Sequence, residues 1–97
     1  MTSGPTSGSD ERPGVNGSRV EVTIRYWASA RAAAGCDSEH FNGQRVADVL
    51  EAAASAHTGL GAVLKVSTIL LDGRPVTASE QLSAGTTLEV LPPFAGG

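Results

Sequence analysis

Alternation of apolar and polar positions is absent from the first eighteen residues of the chain and begins abruptly after them. In "RVEVTIRYW", Val20, Val22, Ile24 and Tyr26 alternate with Glu21, Thr23 and Arg25. That period of two predicts a strand with one buried face. "ASARAAAG" is rich in alanine and closes on Gly35, which predicts a short helical turn or loop. "DSEHFNG" predicts a short second strand around Glu39–Phe41, ended by Asn42-Gly43.

The period then changes. In "RVADVLEAAASAHTG", Val46, Val49, Leu50, Ala53, Ala54 and His57 fall on one continuous helical stripe. Asp48 and Glu51 lie off that stripe and early in the segment, where negative charge suits the helix dipole. Gly59 is the expected stop. The segment 58–67, with Leu60, Val63 and Leu64, reads as a linker. In "STILLDGRPV" an Asp72-Gly73 pair separates two apolar runs, a strong hairpin signal because both central turn positions need positive φ. "SAGTT" then turns the chain into "LEVL", where Leu88 and Val90 share a face and Glu89 takes the other. Pro92 and Pro93 end that strand, since neither can donate to a sheet ladder.

The elements run strand, strand, helix, strand, strand, strand. One main helix covers one face of one small sheet of four or five strands, an α+β domain in two layers. Its boundaries are residues 19–91. Residues 1–18, "MTSGPTSGSDERPGVNGS", offer little but Gly, Ser, Thr, Pro and charge. Ordering them would go uncompensated, so they are expected to form a disordered tail. Residues 92–97, "PPFAGG", are expected to form a flexible C-terminal tail.

Composition narrows the function classes. The net charge is −3, and no basic stripe supports binding to nucleic acid through its phosphates. No apolar run reaches the length of a membrane span, and the start of the chain lacks the pattern of a signal peptide. With one cysteine, Cys36, no internal disulfide can form. The cytoplasm is the expected compartment, with neither nucleic acid nor membrane as a partner.

Few residues invite a chemical reading. Cys36 and His40 stand four apart near Asp37 and Glu39, but a metal site usually needs three or four placed ligands and nothing in the sequence completes the set. No metal site is therefore expected, and Cys36 reads as a lone thiol in a loop. His57 closes the helix stripe, where packing or the helix C-terminus accounts for it. "GLGAVL" lacks the third glycine of a dinucleotide loop. Trp27 reads equally as an interface residue or as packing at a strand end. That leaves the end of the chain. A frayed terminus would account for two glycines, but not for their setting: a strand, a proline break, one bulky Phe94, then Ala95, Gly96 and Gly97.

The first strand "VTIRYWASARAAAG", the helix "VADVLEAAA", the Asp-Gly hairpin and "LSAGTTLEVLPPFAGG" together resemble the ubiquitin-like sulfur-carrier family (MoaD/ThiS type). Within it the likeness is strongest to small subunits of molybdopterin synthase (MoaD-like). It covers roughly Arg19 to Gly97. The resemblance implies a β-grasp fold whose first and last strands are adjacent and parallel at the centre of the sheet. It implies that Gly97 is adenylated and converted to a thiocarboxylate, which donates sulfur in molybdenum cofactor biosynthesis. The chain would then donate sulfur within a sulfurtransferase complex without supplying the catalytic side chains. Three partners are implied: the large, catalytic subunit of the synthase, a ubiquitin-activating-like adenylyltransferase, and a sulfur donor such as a sulfurtransferase or cysteine desulfurase. No permanently bound cofactor is implied; ATP is used by the activating enzyme.

The residues explain why such a tail suits that chemistry. A terminal carboxylate titrates near pH ~3.5, so at neutral pH it resists nucleophiles until it is activated. From Pro92 to Gly97 the extended chain reaches at most about 20 Å, enough to thread a narrow channel. Gly96 and Gly97 carry no Cβ and admit close backbone approach, and Ala95 adds only a methyl. Pro92 and Pro93 favour extended geometry, and Phe94 suits an anchoring contact. Pro92, Pro93, Phe94, Ala95 and Gly96 are thus the expected partner-binding residues. The same tail would serve a sulfur carrier of thiamine or cysteine biosynthesis, a ubiquitin-like modifier joined to lysine through Gly97, or a plain binding module ending in Gly-Gly by chance.

Overall fold

The computed structural model describes residues 19–93. The disordered tail expected over 1–18, and Phe94, Ala95, Gly96 and Gly97, lie outside the described residues. The element order is β1 (Val20–Tyr26), α1 (Ala28–Ala34), β2 (Ser38–Gly43), α2 (Val46–Ala56), α3 (Leu60–Val66), β3 (Thr68–Leu71), β4 (Arg74–Pro75) and β5 (Thr87–Leu91). The strands form one mixed sheet in the order β2-β1-β5-β3-β4. The central pair, β1 and β5, is parallel, with Ile24 opposite Leu88 and Tyr26 opposite Val90. The neighbouring pairs β1–β2 and β5–β3 are antiparallel. This is the β-grasp arrangement.

The period-two pattern fixes which face is buried. Val22, Ile24 and Tyr26 of β1 are buried, as are Leu88 and Val90 of β5 and Ile69 and Leu71 of β3. Against them lies the helical stripe, with Val46, Val49 and Ala53 fully buried and Leu50, Ala54 and His57 half-buried. Complete burial of each of the two valines contributes about 1.5–3 kcal/mol, so the stripe holds α2 in place more than its intrinsic propensity does.

The start of α2 is secured from two directions. The Asp48 carboxylate accepts the backbone N–H of Gln44 at 2.9 Å and of Arg45 at 3.0 Å. The N–H groups of Val46 and Ala47, which have no partner inside the helix, donate to the carbonyls of Glu80 and Ala78 at 2.9 and 2.8 Å. Those carbonyls belong to the long segment between β4 and β5, and buried Leu82 pins the same segment to the core.

The β3–β4 hairpin turns as expected, with φ +48° at Asp72 and +85° at Gly73. The Asp72 side chain also accepts the Thr87 N–H at 3.0 Å, tying the turn to β5.

The linker expected over 58–67 is instead a helix, α3, whose Leu60 is completely buried. Gly59 does not stop α2; that helix closes at His57, in extended backbone, and Gly59, at φ +90°, opens α3. Seven residues are too few for a periodic stripe to stand out, and Leu60 became part of the core only because α3 packs against α1 and α2. With α1, where a short helical turn or loop was expected, the described residues hold three helices, of which α2 is the longest.

Candidate functional site

The tail follows the central strand of the sheet. β5 is hydrogen-bonded on both sides, to β1 and to β3, so its end is held by two ladders and cannot swing. At that end the Trp27 N–H donates to the Val90 carbonyl at 3.2 Å, and Leu91 lies opposite Thr68. The chain then passes through Pro92, which is buried, to Pro93, which is exposed. Pro92 is therefore packed into the domain it was expected to leave, and the exposed path begins at Pro93. Neither proline can continue the ladder, so pairing ends here on chemical grounds.

The sheet face opposite the helices is open around this exit. Arg25 and Glu89 lie side by side on the central pair, and Leu70 lies opposite Glu89 on the other side. Trp27 is 39% exposed, with the Arg25 guanidinium 4.9 Å from its ring centroid. Cation and ring hold each other beside the point where the chain departs. An exposed aromatic, a half-buried Leu91 and a charge pair beside the end of β5 make a surface that a partner can grip.

Among the candidate ligands, Cys36 and His40 do not converge. His40 lies opposite Thr23 on the open face, whereas Glu39 and Phe41 point toward the helices. Glu39 instead meets two residues distant in sequence. Its Oε2 accepts the Tyr26 hydroxyl at 2.8 Å and lies 2.5 Å from His57 Nε2. Burial and the hydrogen bond to Glu39 push the Tyr26 hydroxyl well above its ordinary value. Burial, then the nearby Glu39 carboxylate, also raises the Cys36 thiol. A signal for this cluster existed in the sequence: Glu39 and His57 each occupy an inward position of an otherwise apolar pattern, and an inward polar group needs a partner.

A mixed sheet with a parallel central pair, helices on one face and a chain end leaving the central strand define a ubiquitin-like carrier scaffold. The family model described as "ThiS family" matches residues 24–97, and the chain belongs to that family of ubiquitin-like sulfur carriers. Among solved structures it is similar to a candidate molybdopterin converting factor, subunit 1, from Pyrococcus furiosus, at 29% identity and TM-score 0.70, over 77% of this chain and 99% of that one. It is similar in fold to the small archaeal modifier protein 1 of Methanosarcina acetivorans, at 24% identity and TM-score 0.76, over 84% of this chain and 100% of that one. A chain of the Amycolatopsis orientalis BexX/CysO complex matches at 24% identity and TM-score 0.69, over 78% of this chain and 99% of that one. No curated protein matches. No helix among the described residues is long and apolar enough to cross a membrane.

Proposed function

We propose that this protein is the sulfur-carrying small subunit of a molybdopterin synthase, with Gly97 as the atom-bearing position. The observation that carries the reading is the match of the carrier family's model through Gly97, on a tail that follows the central strand. The likeness to the Pyrococcus furiosus converting-factor subunit supports the molybdopterin pathway.

The chemistry runs on the terminal carboxylate. An activating enzyme joins it to the adenylyl group of ATP, expelling pyrophosphate. A sulfide equivalent from the sulfur donor then displaces AMP, leaving a thiocarboxylate anion. That soft nucleophile, threaded into the large subunit, attacks a substrate carbon. This chain contributes reach, a slender path and a fixed root; the partners contribute catalytic side chains and ATP. Trp27, Arg25 and Leu91 form the docking ground beside the root, and Pro93, Phe94, Ala95 and Gly96 line the threaded arm.

Similarity to a small archaeal modifier protein favours a second reading, conjugation of Gly97 to lysine. Intact-mass measurement after co-expression with an activating enzyme and a sulfur donor separates the two. One oxygen exchanged for sulfur, lost on deletion of Gly97, is the carrier's result. An unchanged mass rejects the carrier, and adducts of higher mass on many proteins identify the modifier. Retention of a pterin-synthase large subunit, in preference to a thiazole or cysteine synthase, assigns the pathway.

A further inference from the structure

Cys36, Glu39 and His57 take no part in the chemistry of the tail, yet three separate elements bring them together. Cys36 sits in the turn between α1 and β2, Glu39 on the inward face of β2, and His57 at the C-terminal end of α2. One ligand atom from each (the thiol sulfur, a carboxylate oxygen and an imidazole nitrogen) lies within 4.8 Å of the other two. The site is neither sealed nor fully open: the side chains of His57 and Glu39 are 22% and 23% exposed, and Cys36 is half-buried.

We propose that Cys36, Glu39 and His57 form a binding site for a divalent ion of the zinc class, with three protein ligands and a fourth position for water. Sulfur, nitrogen and oxygen together suit a borderline-soft cation and disfavour calcium or magnesium, which take oxygen. Bonds of roughly 2.0–2.3 Å at tetrahedral angles set the donor atoms about 3.3–3.7 Å apart. The donor atoms lie within 4.8 Å of one another and the His57–Glu39 pair at 2.5 Å, so coordination requires each gap to change by at most about 1 Å.

The surroundings supply an outer layer of support. The Tyr26 hydroxyl donates to Glu39 Oε2 and orients the carboxylate, as an outer partner of a metal ligand does. The Tyr26 ring meets the His57 ring edge-on, with centroids 6.3 Å apart and planes at 84°, which limits rotation of the imidazole. Binding is balanced in charge and protons. The thiol gives up its proton to solvent, His57 coordinates through Nε2 with its proton on Nδ1, and thiolate plus carboxylate neutralise the dication. The ion would staple the α1–β2 turn and β2 to the end of α2. The proposal stands independently of the sulfur-carrier reading.

The test is titration of the full-length, reduced chain with cobalt(II), read by absorption. One equivalent is expected to produce a thiolate-to-cobalt charge-transfer band and the strong visible bands of four-coordinate cobalt, both lost on adding zinc. Zinc should also raise the thermal midpoint, because it binds the folded form. Since Cys36 is the only cysteine, Cys36→Ser should abolish the charge-transfer band. His57→Gln should weaken binding at least as much as loss of an outer partner, about 10–100-fold, whereas His40→Ala, on the opposite face, should bind as the wild type does. Far-UV circular dichroism of the metal-free variants should match the wild type, since each change conserves volume or lies on the surface. Absence of a stoichiometric cobalt–thiolate band in the wild type overturns the proposal, and so does a band that survives His57→Gln at unchanged affinity.

Discussion

Leu88 tests whether the root of the tail is held as firmly as the sheet order implies. It is completely buried, lies between Ile24 of β1 and Leu71 of β3, and faces the helices. Leu88→Ala removes three carbons from a strand clamped on both sides, so the walls cannot collapse far into the space. Substitutions of this kind cost about 2–5 kcal/mol, and the upper half of that range applies where relaxation is restricted. A domain of this size has about 5–10 kcal/mol in total, so the variant should retain at most about two-thirds of its stability. At roughly 4–8 °C per kcal/mol for a small domain, the thermal midpoint should fall by at least about 10 °C. Thermal unfolding followed by far-UV circular dichroism gives the number, and urea unfolding with an unchanged m-value shows that the denatured state is not responsible. Thr87, next along β5 but on the other face, serves as the comparison: Thr87→Ala should cost under about 1 kcal/mol. Equal losses at the two positions would refute the assignment of faces and, with it, the clamped root.

Three further outcomes follow from other parts of the molecule. On the carrier reading, Gly97→Ala should leave the thermal midpoint within about 1 °C of wild type, yet abolish the sulfur-for-oxygen mass change on co-expression; a large loss of stability would show the terminus to be structural. Gly43→Ala should cost about 1–3 kcal/mol in urea unfolding, because a Cβ there meets Asp48 Cβ at 2.9 Å and Val49 Cγ2 at 3.0 Å and Asp48 Cβ cannot swing away from its helix; a change below about 0.5 kcal/mol would contradict the close approach of β2 and α2. Asp48 is held below the usual carboxylate range by the N–H groups of Arg45 and Gln44. A depressed folded-state value stabilises above the unfolded value, near ~3.9, and that stability is lost as pH falls through the folded value. Asp48→Asn should therefore flatten part of the acid limb of a stability–pH curve, and an unchanged limb would argue against the cap.

Much of this molecule was legible because local pattern and burial agree. Val22, Ile24 and Tyr26 on β1, and Val46, Val49 and Ala53 on α2, bury the positions that their periods of two and 3.6 select. The Asp72-Gly73 turn was legible because backbone sterics alone demand such residues at positive φ. α3 was missed because seven residues carry too few turns for periodicity to register, and the burial of Leu60 depends on which neighbours arrive to cover it. Pro92 was expected to be free for the same reason: a proline ends strand pairing wherever it occurs, but only the packing around β5 decides whether its ring is covered.

The amino-acid sequence by itself determined the strands, the main helix and the hairpin turn, since each follows from short-range sterics and from the partition of side chains between water and core. Tertiary structure alone decided that β1 and β5 lie side by side and parallel, which fixes the root of the arm, and that Cys36 meets His57 and turns away from His40. Both depend on contacts between residues far apart along the chain. The side on which His40 projects follows from strand alternation, but the arrival of His57 beside Glu39 required α2 to cross the sheet at one particular place.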